Sequence, residues 1–293
     1  MTKTKATTWS LALIVGILAL TWMAPLQWAF IGVMLLMVAF CVLLGCVICN
    51  QSLGILISEQ NVISLSRFQT VLWTVILISA FLVIAMARIK NGVVAGDEGA
   101  ELGDPLNIIF GKDLLGLLGI TAGSLVGGSL ISATKKSKTP AADVAQKTAE
   151  QMVKLNNVPD SVAGTTPPAA GVPEAQAAAA QAETLQVINA INQNAEGILY
   201  RNPSVSDATF ADMFEGNEVG NAAYVDLAKV QMFFFTLAVA VAYIASLWDI
   251  ISTEAIYGAD FTFPSVSSGL VSVLGISNLG YLVGKGVDHT PKS

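Results

Sequence analysis

The sequence predicts an all-α membrane protein with about six transmembrane helices. Three observations support this class. Of the 293 residues, 54% are hydrophobic and only 12% are charged, about half the share of charged residues in a typical soluble domain. The mean hydropathy is +0.65. Several apolar runs also reach the roughly 20 residues that a helix needs to cross the hydrocarbon core of a bilayer.

The first two apolar runs cover residues 8–24 and 28–49, and Pro25 lies between them. This order predicts an N-terminal transmembrane hairpin with its turn at Pro25. Lys3 and Lys5 precede the first run, so a cleaved signal peptide is the alternative. No clear small-residue cleavage site precedes Pro25, which favours the hairpin.

Four further apolar runs are predicted to span the membrane: 68–87, 113–133, 227–248 and 265–284. The segment 51–66 is more polar. It has two short β-prone runs around the polar residues 59–61, and it predicts either a small juxtamembrane β-hairpin or a juxtamembrane helix.

The predicted organisation has five segments. They are an N-terminal hairpin (1–50), a juxtamembrane segment (51–66), a first two-helix unit (67–133), a cytoplasmic linker (134–224) and a second two-helix unit with a short tail (225–293). Within the linker, the Ala- and Pro-rich residues 139–181 predict a flexible stretch. One helix is expected within 173–200, with an apolar stripe of Leu185, Ile188, Ile191 and Ile198. Residues 210–224 form a second amphipathic stretch.

Basic residues predict the orientation, because they stay on the cytoplasmic side of a membrane. In the six-span arrangement only Arg88, Lys90 and Lys112 fall on the outer side, next to the acidic loop 91–105. The remaining basic residues lie on the opposite side. Both termini and the long middle segment are therefore expected in the cytoplasm.

The two central pairs of spans look like an internal repeat. Residues 65–69 (LSRFQ) open the third span, and residues 227–231 (LAKVQ) open the fifth. Downstream, Leu-Gly-Ile-Thr at 118–121 corresponds to Leu-Gly-Ile-Ser at 274–277. Both units begin and end on the same side, which predicts parallel repeats, unlike the inverted repeats common in transporters.

Small residues on the returning spans mark candidate helix-packing or pore-lining positions: Gly119, Gly123, Gly127, Gly280 and Gly284. Packing within one chain, contact between copies and a pore-lining face remain open as their role. Gln69 and Gln231 are the intramembrane polar candidates. Each is expected to bond to a neighbouring helix near Ser129, Ser132 or the Gly284 backbone, or to form part of a polar ring. Arg67 and Lys229 are expected to extend to lipid headgroups at the interface.

The chain offers little catalytic or cofactor chemistry. Histidine occurs once, at His289, which argues against a histidine-held metal or haem. Cys41, Cys46 and Cys49 lie in one apolar run and are expected to pack as small buried hydrophobes. No predicted span has an ionisable residue near its centre, and no catalytic or nucleotide-binding motif is present. No enzyme activity, cofactor, metal or nucleic-acid partner is therefore expected.

Three motifs resemble a group of uncharacterised bacterial multi-pass inner-membrane proteins. They are SLSRFQ at 64–69 followed by LWT at 72–74, the LGI[TS] pattern, and DLAKVQMFFF at 226–235. The resemblance covers residues 50–133 and 210–285. It implies a bacterial inner-membrane location and a link to large membrane assemblies, but no activity and no functional residue.

Two functional hypotheses follow from these features. The first is a scaffold or anchor that oligomerises or binds a protein partner through its cytoplasmic segment, with Phe210, Met213 and Phe214 as possible contacts. The second is an oligomeric ion channel or pore, supported by the glycine faces and the absence of mid-membrane charge. A transporter ranks third, because no coupling residue is evident.

Overall fold

The computed structural model describes residues 3–93, 103–141, 143–155 and 174–291. This part of the chain is all-helical and contains eight α-helices and no β-strand, which confirms the predicted class. The helices are α1 (Lys3–Met23), α2 (Leu26–Ile48), α3 (Leu65–Asn91), α4 (Lys112–Lys136), α5 (Val144–Leu155), α6 (Glu174–Asn194), α7 (Leu227–Ile251) and α8 (Ser268–Gly286).

Four of these helices, α2, α3, α4 and α7, are long and apolar enough to cross a membrane. Each has 23 to 27 residues, because its apolar run is interrupted by few charges. The described apolar part of α1, Thr7–Met23, is shorter, and α8 has 19 residues. The four helices are consistent with a membrane protein.

The chain forms two compact units. The first unit contains residues 1–56, 66–125 and 231–279, and the second contains residues 57–65, 126–230 and 280–293.

An N-terminal helical hairpin opens the first unit. α1 ends at Met23 and α2 begins at Leu26, so the turn falls at Pro25 as the sequence predicts. Proline is suited to this position because its fixed φ and missing N–H are tolerated at a helix start. Ala29, Phe30 and Val33 of α2 are fully buried in the core of this unit.

The directions of α3 and α4 follow from two side-chain contacts. The hydroxyl oxygens of Ser66 and Ser124 are 3.4 Å apart, and the rings of Phe81 and Phe110 stack at 6.2 Å. Between these two contacts the residue number rises from 66 to 81 along α3 and falls from 124 to 110 along α4 and the residues just before it. The two helices therefore run antiparallel.

In contrast, α3 and α7 run parallel. The rings of Phe68 and Phe233 lie 5.5 Å apart, and those of Trp73 and Tyr243 lie 6.0 Å apart. Residue numbers rise together along both helices. These aromatic side chains interlock two apolar surfaces and bury a large area for each residue.

Helices α4 and α8 also run parallel within the first unit. A methyl group at Gly116 would lie 3.7 Å from a Val271 methyl group, and one at Gly275 would lie 3.4 Å from the Ile120 methyl group. Each contact pair is separated by the same number of positions along the chain, so the register between the helices is constant.

The connections that precede α4 and α8 pair with each other. Ile109 donates its N–H to Phe261 O, and Phe263 donates its N–H to Ile109 O, each at 2.9 Å. The rings of Phe110 and Phe263 stack at 4.8 Å. The buried Arg88 of α3 donates to backbone carbonyls of both connections, Ile256 O and Asp104 O.

The second unit is more ordered than the sequence predicts. α5 falls inside the stretch 139–181, which was expected to be a flexible linker, so that prediction is wrong for 144–155. Val144, Ala145 and Ala149 of α5 pack against Ile191 of α6 and supply the apolar contacts that hold the helix. Residues 156–173 lie outside the described residues, and 174–181 form the first part of α6, so the prediction of a flexible stretch is wrong there too.

The predicted α6 stripe is only partly correct. Ile191 and Ile198 are buried and Ile188 is half-buried, whereas Leu185 is 59% exposed. The one helix expected within 173–200 is confirmed, since α6 covers Glu174–Asn194. Ile198 reaches the core from the irregular segment that follows the helix.

The segment 57–65, for which either a β-hairpin or a helix was predicted, forms a tight turn with one isolated antiparallel bridge, Ile57–Ile63. Asn61 has a φ of +57°, a left-handed conformation that asparagine tolerates better than most residues. Its Nδ2 donates to Asn202 O, and Asn202 Nδ2 donates to Asn61 O. These two hydrogen bonds fix the turn to the segment that follows α6.

Candidate functional site

A layer of buried polar side chains crosses the first unit. We define this polar layer as Gln69 of α3, Thr121 of α4, Thr236 of α7, and Ser277 and Asn278 of α8, all at most 8% exposed. Gln69 Nε2 donates to Thr236 Oγ1 at 2.5 Å. The Thr121 hydroxyl and the Asn278 amide nitrogen each donate to a carbonyl one turn earlier in their own helix.

Three oxygen atoms of this layer have no hydrogen-bond partner among the described residues. They are Gln69 Oε1, Ser277 Oγ and Asn278 Oδ1. Most buried side-chain polar atoms in proteins have at least one partner, so such atoms call for an explanation. The Tyr243 hydroxyl, two turns after Thr236 on α7, is also buried without a hydrogen-bond partner among the described residues.

The partner of Gln69 differs from the predicted ones. Ser129, Ser132 and the Gly284 backbone were expected, but the amide nitrogen bonds to Thr236. The reason is tertiary, because the parallel packing of α3 and α7 brings Thr236 to the level of Gln69. Nothing in the sequence near Thr236 distinguishes it from the other hydroxyl residues in the spans.

The positions matched by the predicted repeat differ in burial. In the register that aligns Gln69 with Gln231, Trp73 corresponds to Phe235 and Ala80 to Ala242. The three α3 residues are buried, whereas the three α7 residues are exposed. Gln231 therefore does not bond to a neighbouring helix in the way that the sequence suggested.

The five predicted glycines fall into two groups. Gly127 is packed, since a methyl group there would lie 3.4 Å from the Leu282 side chain. Methyl groups at the others would meet nothing within 4 Å: Gly119, Gly123, Gly280 and Gly284. Among the described residues, no atom packs against the side of these four glycines where a side chain would lie. In the first unit, Gly116 and Gly275 make the close helix contacts instead, and the sequence analysis did not select them.

Lys229 is buried, and this contradicts the expectation that it extends to lipid headgroups. The residue is 3% exposed. Its ammonium group donates to Glu215 O and to Asn217 Oδ1, the latter at 2.9 Å. Arg67, its counterpart in the predicted repeat, is half-buried. The chain following α6 folds around the start of α7, so Lys229 has protein acceptors available.

The three predicted partner contacts do not form one surface. Met213 is 1% exposed and belongs to the interior of the second unit, so it is not available to a partner. Phe210 is 53% exposed, and Phe214 is half-buried with its ring 5.5 Å from that of Phe210. A short 3₁₀ turn, Phe210–Met213, directs the aromatic and methionine side chains to different sides.

The second unit contains a buried ion pair that the sequence did not predict. Lys135, near the end of α4, is 2% exposed and donates to Glu218 Oε1 and to Val287 O. Glu218 Oε2 accepts the backbone N–H groups of His289 and Thr290. The C-terminal tail is thus fixed to the pair. Only the tertiary structure identifies this pair, since its members are 83 positions apart.

Among the carboxyl groups outside the membrane-spanning segments, Glu215 and Glu196 have pKa values shifted in opposite directions. Burial raises the pKa of Glu215, and Asp212 adds to this, while Lys229 acts against it. The hydrogen bond from Lys136 lowers the pKa of Glu196, with a further contribution from Arg201. Compared with a free carboxyl group, the surroundings therefore stabilise the charged form of Glu196 and destabilise the charged form of Glu215.

The described residues contain no group of three or more His, Cys, Asp and Glu side chains that could hold a metal ion. The cysteines are unpaired thiols on α2 and in the residue after it. Cys41 and Cys49 are half-buried, but Cys46 is exposed, so the prediction of buried thiols is wrong for Cys46. This residue lies on the outward face of an apolar helix.

The structure therefore offers two regions for functional consideration: the polar layer in the first unit, and the folded segment between α4 and α7 in the second. No known protein family, no curated protein and no solved structure matches the chain.

Proposed function

We propose that the chain is a non-enzymatic scaffold or anchor of the bacterial inner membrane. Its segment between α4 and α7 binds a protein partner or a second copy on the cytoplasmic side. The observation that carries the proposal is the folded state of this segment. α5, α6 and the chain from 195 to 226 are held by buried apolar and polar contacts, which gives a partner a fixed surface.

One part of this surface suits protein binding. We define the apolar patch as Phe210, Phe214, Tyr224 and Val225. Phe210, Tyr224 and Val225 are each more than half exposed. Backbone bonds hold the members together, since Gly216 N–H donates to Tyr224 O and Asp226 N–H donates to Phe214 O. Aromatic residues are enriched in protein interfaces because they bury a large area at low entropic cost.

The proposal includes six spans and cytoplasmic termini. Two observations support counting α1 and α8 with the four long helices. α1 packs against α2 in a hairpin, and within the first unit α8 packs against α4 in constant register. Tags at the two ends of the chain, tested in intact spheroplasts, are expected to be protected from protease. Cleavage of either tag from outside would contradict this topology.

The proposal also includes an internal repeat. The parallel pairing of α3 with α7, and of α4 with α8, supports it. Rotating the helix pair α3–α4 onto the pair α7–α8, about an axis along the helices, gives parallel pairs of this kind. The pairing of the connections through Ile109 and Phe263 follows the same pattern.

Copurification from native membranes tests the scaffold function. The full-length chain is compared with Phe210→Asp, and Leu185→Asp serves as the matched control, because Leu185 is an exposed apolar residue on α6 of the same unit. We expect Phe210→Asp to lose a partner or its self-association, and Leu185→Asp to keep it. Equal recovery with all three proteins would contradict the role of the apolar patch.

An oligomeric channel is the second candidate. The observation that favours it is the set of open glycines, since Gly119, Gly123 and Gly280 leave helix surfaces that a second copy could approach closely. Ion flux into liposomes containing the purified protein tests it. Flux that Gly123→Leu abolishes would support the channel. Absence of flux in several alkali salts, with the protein shown to be inserted, would contradict it.

A further inference from the structure

The unpartnered oxygens of the polar layer lie at one depth in the first unit. Ser66 contacts Ser124 in the antiparallel pair of α3 and α4. Three residues further along α3 is Gln69, and three residues back along α4 is Thr121, so these two residues lie at the same level. The rise of about 1.5 Å per residue makes this step about 4.5 Å on each helix.

The other two helices reach the same level. Thr236 of α7 is bonded directly to Gln69. On α8, Gly275 lies beside Ile120 of α4, so Ser277 and Asn278 fall between the levels of Thr121 and Ser124. All five side chains of the polar layer therefore lie within about one helical turn, or about 5 Å, along the bundle.

The chemistry of the layer is neutral. Its members carry amide and hydroxyl groups and no carboxylate or ammonium group. Bringing a divalent cation here would require a large desolvation cost without an opposing charge. A neutral molecule that forms several hydrogen bonds fits better.

The three unpartnered atoms match the hydrogen-bonding capacity of one water molecule. Gln69 Oε1 and Asn278 Oδ1 can only accept, and water has two hydrogens to donate. The Ser277 hydroxyl has a hydrogen that the water oxygen can accept. Buried waters in proteins typically make about three such bonds to otherwise unsatisfied groups.

We propose that the polar layer binds one buried water molecule, which donates to Gln69 Oε1 and Asn278 Oδ1 and accepts from the Ser277 hydroxyl. The water links α3 to α8 across the first unit, a connection that no direct side-chain bond in the polar layer makes. The site does not depend on the scaffold function. If the chain is a channel, this water site is a hydrated position inside the helix bundle.

A structure of the full chain in lipid nanodiscs, at a resolution that shows ordered water, tests the proposal directly. We expect one density peak at hydrogen-bonding distance from all three oxygens. Direct bonds among the three side chains, or no peak, would overturn the proposal. A peak whose occupancy depends on the concentration of Na⁺ or K⁺ would also overturn it, in favour of a cation.

Counting long-lived buried waters by ¹⁷O magnetic relaxation dispersion gives an independent test. Asn278→Leu is expected to lose one such water, whereas Gln231→Leu, which changes an exposed amide, is expected to lose none. If Asn278→Leu does not fold, as judged by circular dichroism and gel filtration, Ser277→Ala replaces it and should shorten the residence time of the water. An unchanged count and residence time would overturn the proposal.

The outcome is separable from the two candidate functions. Copurification and ion flux respond to the apolar patch and to the open glycines, and neither measurement involves Asn278 or Ser277. Loss of the water in Asn278→Leu with partner binding intact would support the water site alone. A retained water count in that variant would overturn the site even if the chain binds its partner.

Discussion

The buried charged groups of the second unit and the neutral polar layer of the first unit differ in their hydrogen bonding. In the second unit, the buried groups of Lys135, Glu218 and Lys229 each bond to specific acceptors or donors of the protein. In the first unit, the polar layer leaves three buried oxygens without a partner among the described residues. The fold supplies partners for these three charged groups, because an unpaired buried charge costs far more than an unpaired amide.

The starts of α3 and α7 show the same contrast at the level of sequence. Both carry a basic residue followed by a glutamine two positions later. In α3 the glutamine, Gln69, is buried and Arg67 is half-buried, whereas in α7 the basic residue, Lys229, is buried and Gln231 is exposed. Similar local sequences therefore do not determine which of the two polar side chains faces the interior.

The largest expected effect comes from breaking the buried pair in the second unit. Glu218→Ala removes the partner of Lys135 and two acceptor bonds of the tail, so the free energy of unfolding should fall by about 3–5 kcal/mol. Steric trapping or denaturant titration in detergent micelles measures this change. Glu59→Ala is the control, since Glu59 is exposed, and should change stability by less than about 1 kcal/mol. Equal effects of the two variants would contradict the role of the pair.

Lys229→Met should have the next largest effect. It leaves Glu215 O and Asn217 Oδ1 without their donor, and we expect a loss of about 2 kcal/mol, since an unsatisfied buried acceptor costs about 1–3 kcal/mol. The same stability measurement applies. Arg67→Met, at the matched position of α3, should lose less. The reverse order would show that the difference in burial does not control stability.

Thr236→Val and Gln69→Leu test the polar layer from its two sides. Thr236→Val leaves the Gln69 amide nitrogen without its acceptor, and should cost about 1–2 kcal/mol. Gln69→Leu leaves the Thr236 hydroxyl without its donor and removes one acceptor of the proposed water, so it should also cost about 1–2 kcal/mol. Gln231→Leu, on an exposed face, should stay within about 0.5 kcal/mol of the wild type. Losses no larger than that of Gln231→Leu for both polar-layer variants would contradict this account.

Glu215→Gln should have the smallest effect, and it should depend on pH. The folded state raises the pKa of Glu215 above that of the unfolded chain. The stability that this group contributes is thus fully present below the unfolded pKa and is lost as pH rises through the folded pKa. Thermal melting at neutral pH should show the variant to be slightly more stable than the wild type, and the advantage should disappear in acid. An advantage that grows in acid would contradict the direction of the shift.

The sequence by itself determined the helical class, the turn at Pro25 and the long apolar helices. These features depend on local composition, because a long run without charges can satisfy its backbone in lipid only as a helix. The N-terminal boundary of α7 is local too, since Asp226 Oδ1 accepts the N–H groups of Ala228 and Lys229.

The tertiary structure alone decided which polar side chains are buried and what they contact. The bond between Gln69 and Thr236, the pair of Lys135 with Glu218 and the interior position of Met213 all join residues far apart in the chain or depend on the packing of several elements. A pattern of residue types specifies a face of a helix. Which neighbour covers that face depends on the register and direction in which the helices pack, and these are set by the whole bundle.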